Sequence, residues 1–392
     1  MKVFFLNAVC GTGSTGRIVT DLAALLQSRG HDVKIAFGVG QARNITPEAA
    51  FKMNTLPGYY LHNALSRLTD HAGLYSLPQT GKLIREMEKF SPDVVHIHTL
   101  HGYYVNYELL FSYLTKADIP VVMTLHDCWT FTGHCTHFDY AGCDQWKIRC
   151  ENCPQLRRYP VCYGSGDVGR NFDRKKKAFT APKTMCIVTA SRWQAELVKQ
   201  SFLGKYPVRV IPNGIDPSVF HPTPGARLPE RKKILLGAAG VWDDRKGLQD
   251  FEVLAELLGE DYQIVLVGLR PEQQQALPKS ILGLCRTDNA AELAKLYTAA
   301  DLFVNPTYEE SFSMVNLEAQ ACGTPVITYR TGGAPETLLP GMGRVVPKGD
   351  VEAMAQAIRE GISPPTHIPT ALIGKDFAYS RYLELYRQLT EK

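Results

Sequence analysis

Short apolar runs recur along the first half of the chain, separated by longer stretches with helical spacing of apolar residues. The runs cover residues 2–7, 32–38, 93–99, 120–127, 185–191 and 208–216, and most are rich in Val and Ile. Runs this continuous are typical of parallel strands that are covered on both faces. We therefore predict alternating strands and helices around a parallel sheet.

The same pattern starts again after a segment rich in Pro, Gly and charge, residues 213–231. Strands are predicted at 232–240 and 262–268, and helices and further strands follow. We predict an α/β protein with two Rossmann-like domains facing a central cleft. Residues 1–212 form the first domain, joined by a C-terminal helix over 376–392, and residues 213–375 form the second.

Composition adds little to this picture except in one place. The hydrophobic fraction is 45%, the charged fraction 21% and the net charge +4, as in ordinary globular proteins. Residues 147–177 carry nine Lys or Arg against three acids, a local charge of +6. Such a stretch fits an anionic lipid surface, a phosphorylated ligand or nucleic acid, and equally a solvated helix face.

The N-terminal apolar run spans only six residues, too few for the apolar core of a signal peptide. The first strand explains it better. We expect a cytoplasmic protein, where thiols stay reduced and disulfides are disfavoured.

In doubly wound domains the ligand lies at the carboxyl ends of the strands, so residues just after each strand are the candidates. The turn GTGSTG, residues 11–16, follows the first strand and opens a helix, where backbone N–H groups approach an anion. Tight turn geometry alone also explains it. Arg245 and Lys246 follow the first strand of the second domain, where a phosphate would offset the unfavourable helix dipole.

Two carboxylates stand eight residues apart around the next helix, Glu310 and Glu318. Eight residues make about 2.2 helical turns, so we expect one carboxylate at the helix start and the other two turns inward. Carboxylates suit sugar and ribose hydroxyls. The alternative is that Glu310 caps the helix and Glu318 is a surface residue. His126 ends a strand and is either a structural residue or a cleft residue.

These segments resemble the retaining, nucleotide-sugar-dependent glycosyltransferases of family 4, which have the GT-B fold. The matching stretches are VIPNGIDPSVFHP (210–222), RKG (245–247), residues 296–327 with the E-x7-E pair, and TGGAPE (331–336). Residues 126–177 are similar to enzymes of the colanic acid type, which assemble bacterial cell-surface polysaccharides.

The resemblance implies a role for each matching residue. Glu310 and His126 would contact the transferred sugar as catalytic residues, and Glu318 would hold the nucleotide ribose. The donor side would also include Arg245, Lys246, Ser311, Phe312 and Gly13, and the acceptor side Gly16, Asp127 and Trp129. Two positions depart from the family: Gly240 stands where an Arg is common, and Ser313 where a Gly is common.

The activity that follows is hexose transfer from a nucleotide-diphosphate sugar to a glycan acceptor carried on polyprenyl diphosphate. The product would be exopolysaccharide, capsule or O-antigen, made by a protein peripheral at the inner face of the cell membrane. No catalytic metal and no nucleic acid partner are expected, because Lys246 and Arg245 can stabilise the departing diphosphate. The alternatives are a non-catalytic nucleotide-sugar or glycan-binding protein, and a GT-B epimerase or phosphorylase.

A cysteine-rich insertion, residues 128–177, interrupts the first domain. Cys135, Cys143, Cys150 and Cys153 have the order C-x7-C-x6-C-x2-C. The C-x2-C pair is a frequent half of a tetrahedral zinc site, which predicts structural zinc. Reduced, packed thiols are the competing interpretation, and disulfides are less compatible with the expected compartment.

Overall fold

The computed structural model describes residues 1–225, 232–365 and 369–391. Residues 226–231 of the predicted linker and Lys392 of the predicted last helix lie outside them. The chain forms two compact units, Met1–Pro212 with Tyr379–Lys392, and Asn213–Ala378. Within the described residues, no helix is both long and apolar enough to cross a membrane.

The first unit is built on a seven-stranded parallel sheet in the order β3-β2-β1-β4-β5-β6-β7. Its strands are β1 (Lys2–Asn7), β2 (Asp32–Phe37), β3 (Ala50–Lys52), β4 (Val94–Ile97), β5 (Val121–Leu125), β6 (Met185–Thr189) and β7 (Val208–Val210). Every residue of β4, β5 and β6 is buried. The predicted covering of both faces is thereby confirmed for the central strands.

Helices connect these strands. They are α1 (Gly13–Ser28), α2 (Leu56–Thr69), α3 (Leu77–Phe90), α4 (Tyr107–Ala117), α5 (Val168–Phe179) and α6 (Arg192–Gln200). Side-chain caps fix several starts: Thr55 accepts from the Gly58 N–H, Asn106 from Leu109, and Ser191 from Gln194. Each cap satisfies a backbone donor that the first helical turn leaves open.

The second unit has a six-stranded parallel sheet in the order β10-β9-β8-β11-β12-β13. Its strands are β8 (Lys233–Ala238), β9 (Tyr262–Val267), β10 (Ile281–Leu284), β11 (Leu302–Asn305), β12 (Val326–Tyr329) and β13 (Gly343–Val346). Its helices are α7 (Leu248–Leu258), α8 (Pro271–Ala276), α9 (Ala290–Ala299), α10 (Met314–Ala321) and α11 (Val351–Glu360). The last helix, α12 (Lys375–Thr390), begins in the second unit and belongs to the first from Tyr379 onward.

Alternate residues of β8 enter two different apolar cores. Leu235 packs with Phe251 and Leu266, whereas Ile234 and Leu236 pack in a separate cluster. Successive side chains of a strand point to opposite faces of its sheet, so helices cover both faces. The second unit is therefore doubly wound, as the sequence predicted.

The strand orders also locate the ligand-binding edges. In each sheet the order of the strands reverses once, between β1 and β4 in the first unit and between β8 and β11 in the second. In open α/β sheets, ligands bind at the carboxyl ends of the strands beside this switch point. The loops after these four strands are the ones to examine.

Candidate functional site

The loops after β8 and β11 bring Lys246 and Glu310 together. The Lys246 ammonium donates to the Glu310 carboxylate, with 2.6 Å between Nζ and Oε2. Both side chains stay partly exposed, at 25% and 18%. A charged pair that is close and still open to solvent can exchange partners when a charged, hydroxyl-rich ligand arrives.

Arg245 points to a different partner from Lys246. Its guanidinium donates to Asp243 at 2.7 Å and 3.2 Å. Burial alone would raise the pKa of the Asp243 carboxyl, but the hydrogen bond and charge of Arg245 lower it below its usual value. The positive charge of Arg245 is thus shared with Asp243. Gly240, at the position where the family often has Arg, is exposed.

The helix predicted to start at Arg245 and Lys246 begins slightly later. Both residues lie in a 3-10 turn, Asp244–Lys246, and α7 starts at Leu248 after Gly247. Gly247 has φ +68°, and a Cβ there would stand 2.2 Å from the Pro306 carbonyl oxygen. Only glycine allows this close approach of the two loops.

The TGGAPE segment holds the backbone of Glu310. The Gly333 N–H donates to the Glu310 carbonyl at 2.8 Å. Gly332 has φ +51°, and a Cβ there would stand 1.9 Å from the same carbonyl oxygen. The loop after β12 therefore fixes the backbone of Glu310, and the ion pair with Lys246 fixes the position of its carboxylate.

Glu310 precedes α10, as expected, but a loop separates it from the helix start. α10 starts at Met314 with Ser313 as its N-cap, so Glu310 to Ser313 form a loop and the 2.2-turn argument fails. Glu310 does not cap the helix either, because it pairs with Lys246. Ser311 is buried, and the half-buried Phe312 packs against the core of the second unit.

Glu318 lies in the second turn of α10 and is half-buried. The Tyr297 hydroxyl donates to its carboxylate, with 3.1 Å between the oxygens. Burial, followed by the charge of Glu318, raises the pKa of Tyr297 well above its usual value, so the phenol stays a donor. One oxygen of Glu318 is thereby held from the α9 side.

A buried carboxylate supports these loops from behind. The hydroxyls of Tyr308 and Tyr329 donate to Asp250, at 3.0 Å and 2.7 Å. The Tyr308 N–H donates in turn to the Arg245 carbonyl at 2.7 Å. Burial raises the pKa of Asp250, and the two phenols oppose that rise. Sequence reasoning missed this network, although two tyrosines beside strand ends were a signal.

In the first unit, His126 is paired with a second histidine. Nε2 of His126 lies 2.9 Å from Nδ1 of His98, and the two rings are stacked. His98 follows β4 and His126 follows β5, so adjacent strand ends bring them together. Burial lowers the pKa of His126 to about 4 and that of His98 well below its usual value, so both are neutral at pH 7.

The histidine pair continues into the sheet. Nε2 of His98 is buried and has no hydrogen-bond partner among the described residues, and the His98 ring lies 4.1 Å from that of His96. His96 bonds the Tyr386 hydroxyl at 2.6 Å and the Thr124 hydroxyl at 2.7 Å. The sequence analysis did not select His96 or His98, although the alternation in DVVHIHT places His98 at the end of the strand.

Asp127 forms a separate cluster with His101 and Tyr159. His101 Nε2 lies 2.6 Å from the Asp127 carboxylate, and Nδ1 lies 3.1 Å from the Tyr159 hydroxyl. The Tyr159 hydroxyl donates its own hydrogen to the His101 carbonyl at 2.7 Å. Burial would raise the pKa of Asp127, but His101 outweighs it and the pKa falls to about 2.

This cluster ties the cysteine-rich insertion to the strand ends. Tyr159 belongs to the insertion, whereas His101 and Asp127 follow β4 and β5. The insertion therefore helps to position the His101 imidazole and the ionised carboxylate of Asp127 beside His126.

Trp129 has a different place from the one expected. It is 1% exposed and packs against Tyr107 and Phe179, so its ring is part of the core and not an acceptor-side surface. The Lys175 ammonium lies 3.5 Å from the ring centroid and donates to the Trp129 carbonyl at 2.8 Å. The indole is a large apolar ring that is stabilised by burial, which explains why Trp129 lies in the core.

The basic stretch is less available than its charge suggested. Lys175 is 1% exposed, and burial lowers its pKa to about 7. Arg149 pairs with Asp173 at 2.9 Å, and Arg174 lies 3.8 Å from Glu108. Lys176 and Lys177 remain exposed. Residues 147–177 therefore do not form a continuous basic face.

The glycine turn after β1 keeps its expected place. α1 begins at Gly13, which has φ +64° and open space where a Cβ would project. Gly16 is buried in the first turn, and its carbonyl accepts from the Gly11 N–H at 3.1 Å. A hypothetical Cβ on Gly16 would approach Val9 to 3.1 Å, so this glycine serves close packing of the turn.

The four cysteines lie near one another without forming a metal centre. All ten cysteines are free thiols, and Cys135 is hydrogen-bonded to Cys153. Over the described residues, no three His, Cys, Asp or Glu side chains are arranged to hold a metal ion. Cys135 and Cys150 are buried in the main core of the first unit, with Cys143 and Cys153 packed against it. The arrangement fits reduced, packed thiols. Structural zinc stays a prediction, because the four thiols are not arranged as a metal site in this structure.

Comparison with known proteins places the chain in a family. The sequence model "Glycosyltransferase Family 4" matches residues 15–219, more than half of the chain, and "Glycosyl transferases group 1" matches residues 232–363. D-inositol 3-phosphate glycosyltransferase of Corynebacterium jeikeium is 37% identical over 357 residues, 83% of this chain and 78% of that protein.

A second relative carries a different activity in its name. A protein of Escherichia coli K12, named as colanic acid biosynthesis glycosyl transferase WcaC, is 26% identical over 293 residues, 69% of this chain and 68% of that one. Among solved structures, sucrose-phosphate synthase from Thermosynechococcus elongatus has a TM-score of 0.70 at 19% identity, with 100% and 99% of the chains covered.

The glycosyltransferase WaaG of lipopolysaccharide biosynthesis has a TM-score of 0.59 at 18% identity, covering 99% and 97% of the chains. These two structures share the GT-B architecture of paired parallel sheets. With a family model spanning over half the residues and a relative 37% identical along most of its length, the chain belongs to glycosyltransferase family 4.

Proposed function

We propose that this glycosyltransferase moves a hexose, with retention, from a nucleotide-diphosphate sugar to a glycan carried on polyprenyl diphosphate, in cell-surface polysaccharide assembly. The observation that carries the proposal is the Lys246–Glu310 pair at the switch point of the second sheet. It presents one cation and one carboxylate side by side, as a sugar diphosphate requires.

Lys246 serves the diphosphate in this proposal. When the bond between the anomeric carbon and the phosphate oxygen breaks, negative charge grows on the β-phosphate and positive charge on the sugar. Lys246 leaves Glu310 and donates to the β-phosphate. Arg245 contributes at longer range, because Asp243 holds its guanidinium. With these two cations we propose transfer without a divalent metal.

Two carboxylates serve hydroxyl groups. Glu310, freed from Lys246, accepts hydrogen bonds from hydroxyls of the transferred sugar. Glu318 accepts hydrogen bonds from the ribose hydroxyls of the nucleotide, while the Tyr297 hydroxyl donates to one of its oxygens. Ionised carboxylates accept pairs of hydrogen bonds, which orients a ring with vicinal hydroxyls.

The first unit supplies the remaining groups. His126 is neutral at pH 7 and offers a hydrogen bond to the transferred sugar rather than a charge. Gly13 leaves open space at the start of α1, and Gly16 allows the turn to pack closely, so backbone N–H groups approach an anionic group of donor or acceptor. Asp127, oriented by His101, lies beside His126 on the acceptor side.

Two relatives support the choice of substrates. The name of WcaC ties it to colanic acid, a cell-surface polysaccharide. A fold neighbour, HepE of Anabaena, has been solved in complex with UDP-glucose, at 16% identity and a TM-score of 0.59. From these we propose a nucleotide-activated hexose as donor, and a protein that works peripherally at the inner face of the cell membrane.

The experiment that tests the proposal is a donor screen. The protein is incubated with UDP-glucose, UDP-galactose and GDP-mannose, with and without a lipid extract holding polyprenyl-linked glycans, and release of nucleoside diphosphate is followed. Release with one donor that depends on the extract supports the proposal. No release with any donor, while a nucleotide sugar still binds, supports a non-catalytic binding protein instead.

A further inference from the structure

Helix α2 (Leu56–Thr69) buries two polar residues beside Tyr59 and leaves large apolar side chains exposed to solvent. His62 and Ser66 are 1% and 3% exposed. The outward side carries four large apolar residues that are each more than 60% exposed: Leu56, Tyr60, Leu61 and Leu68. An ordinary surface helix has the opposite arrangement. Large exposed apolar patches mark surfaces that bind something.

The inward polar side is held by specific hydrogen bonds. His62 Nδ1 lies 2.7 Å from the Ser76 hydroxyl, and Nε2 accepts from the Gly73 N–H at 3.2 Å. Burial lowers the pKa of His62 to about 4, so the ring is neutral and both nitrogens are satisfied. These bonds fix the rotation of the helix, so its apolar side cannot turn inward without breaking them.

Basic and aromatic side chains border the apolar side. Tyr163 is 60% exposed, and its N–H donates to the Arg67 carbonyl at 2.6 Å. The guanidinium carbons of Arg67 and Arg157 lie 5.9 Å and 6.0 Å from the centroid of the Tyr163 ring. A tyrosine between two arginines, next to exposed leucines, is the side-chain chemistry of a membrane–water interface.

The two segments that form this surface carry cations. Residues 49–69 contain Lys52 and Arg67 and no Asp or Glu, and residues 154–166 contain Arg157 and Arg158 and again no acid. Of the acids that follow these segments, Asp70 is buried and Asp167 lies 2.8 Å from His71. An apolar patch bordered by Arg67 and Arg157 complements an anionic lipid surface.

We propose that this α2 face docks on an anionic phospholipid bilayer; it is made of Leu56, Tyr60, Leu61, Leu68, Arg67, Arg157 and Tyr163. The leucines and Tyr60 enter the interfacial region, and the arginines contact lipid phosphates. The role of this docking rests on the proposed function: it would bring the enzyme to a polyprenyl-linked acceptor, which resides in that bilayer. It places the membrane contact on α2 together with Arg157 and Tyr163 of the basic stretch, and not on the exposed lysines of α5.

A second copy of this chain fits the α2 face less well. A two-fold interface brings the same patch of both subunits together. Arg67 and Arg157 of both copies would then lie in one interface, and residues 49–69 and 154–166 hold no acid to pair with them. Like charges placed opposite each other oppose association, whereas lipid phosphates attract them.

The test is co-sedimentation with vesicles, using the full chain without donor or acceptor. One set is phosphatidylcholine alone, and the other contains about one third phosphatidylglycerol. We expect binding to the anionic set, weaker at high salt. The double variant L61S/L68S should lose at least about tenfold in partitioning, because it removes two apolar anchors.

Matched controls separate this surface from others. Ile148 is 88% exposed and lies in the basic stretch, so I148S removes an equally exposed apolar residue and should leave binding unchanged. K176Q/K177Q removes the two exposed lysines of α5 and should have less effect than R67Q/R157Q. Thermal unfolding of each variant confirms that the fold persists, as expected for exposed positions.

Three results would overturn the proposal. The first is equal vesicle binding by L61S/L68S and the unchanged protein. The second is loss of binding in K176Q/K177Q but not in R67Q/R157Q, which returns the contact to α5. The third is a dimer, seen by light scattering, that L61S/L68S dissolves. Vesicle binding needs no turnover, so its failure leaves the proposed transferase reaction standing, and a failed donor screen leaves vesicle binding standing.

Discussion

Lys246 Nζ lies 2.6 Å from Glu310 Oε2, although the two residues come from different loops and are 64 positions apart in the chain. β8 and β11 are neighbours in the sheet, which is why these loops meet. Gly247 and Gly332 permit the close backbone contacts on either side. The pair is thus a product of topology and of two glycines, not of local sequence.

Removing the Lys246 charge should abolish most turnover. In Lys246→Ala we expect kcat to fall about 10²- to 10³-fold, because the departing diphosphate loses its nearest cation. Steady-state release of nucleoside diphosphate measures it. Arg245→Ala is the matched control and should lose less, since Asp243 already shares that charge. Equal losses would show that both cations serve the diphosphate alike.

Glu318 and Tyr297 should act together on donor binding. Tyr297→Phe removes the hydrogen bond that holds one Glu318 oxygen. We expect the KM for the donor to rise about three- to tenfold with kcat retained, the effect of one lost hydrogen bond on ground-state binding. Glu318→Gln should raise the same KM further. A fall in kcat with an unchanged KM would remove Glu318 from the ribose.

His98 should influence the reaction only through His126. His126→Ala should lower kcat/KM about five- to tenfold, the loss of one neutral hydrogen bond. His98→Phe frees Nε2 of His126 and should give a smaller loss. The double variant should be no worse than His126→Ala, as residues acting in series are not additive. Additive losses would mean that His98 acts independently.

Lys175 should make stability depend on pH in the alkaline range. Burial lowers its folded-state pKa to about 7, whereas the unfolded chain keeps the usual value near 10.5. Between these values the unfolded state holds a proton that the folded state has lost. The contribution of Lys175 to the free energy of unfolding therefore rises with pH through this window and is lost as pH falls.

Urea unfolding at pH 7 and pH 10 measures this contribution as the difference between the unchanged protein and Lys175→Met. Cysteines also titrate in this range, and taking the difference removes the effect of those that do not interact with Lys175; Cys135 and Cys150 do interact with it, so their share belongs to the measured contribution. We expect the advantage of the unchanged protein over Lys175→Met to be larger at pH 10. An advantage that is the same at both pH values would mean that Lys175 stays charged in the fold.

Periodicity predicted the architecture because it reports a property of each segment. Continuous apolar runs such as residues 121–125 and 185–189 are buried along their whole length, and both form central strands. The seam near residue 213 carried Pro and Gly, which do not continue a strand or helix. Two parallel sheets of seven and six strands follow from these local signals.

Partners of the site residues were harder to predict, because they depend on which strands are adjacent. His98 reaches His126 because β4 lies beside β5. Asp250 belongs to α7, and its partner Tyr329 belongs to β12. Likewise, burial of Trp129 and Lys175 depends on how α5 packs, which charge counting along the sequence cannot include. The spacing argument for Glu310 failed because α10 starts only at Met314.

The central claim is metal-independent transfer that depends on the Lys246–Glu310 pair. The most direct test is release of nucleoside diphosphate, in EDTA, from the best donor of the screen with the lipid-linked acceptor extract, comparing the unchanged protein with Glu310→Gln. We predict release by the unchanged protein and a loss of about 10²-fold or more in Glu310→Gln. Equal rates in the two proteins, or release that EDTA abolishes, would contradict it.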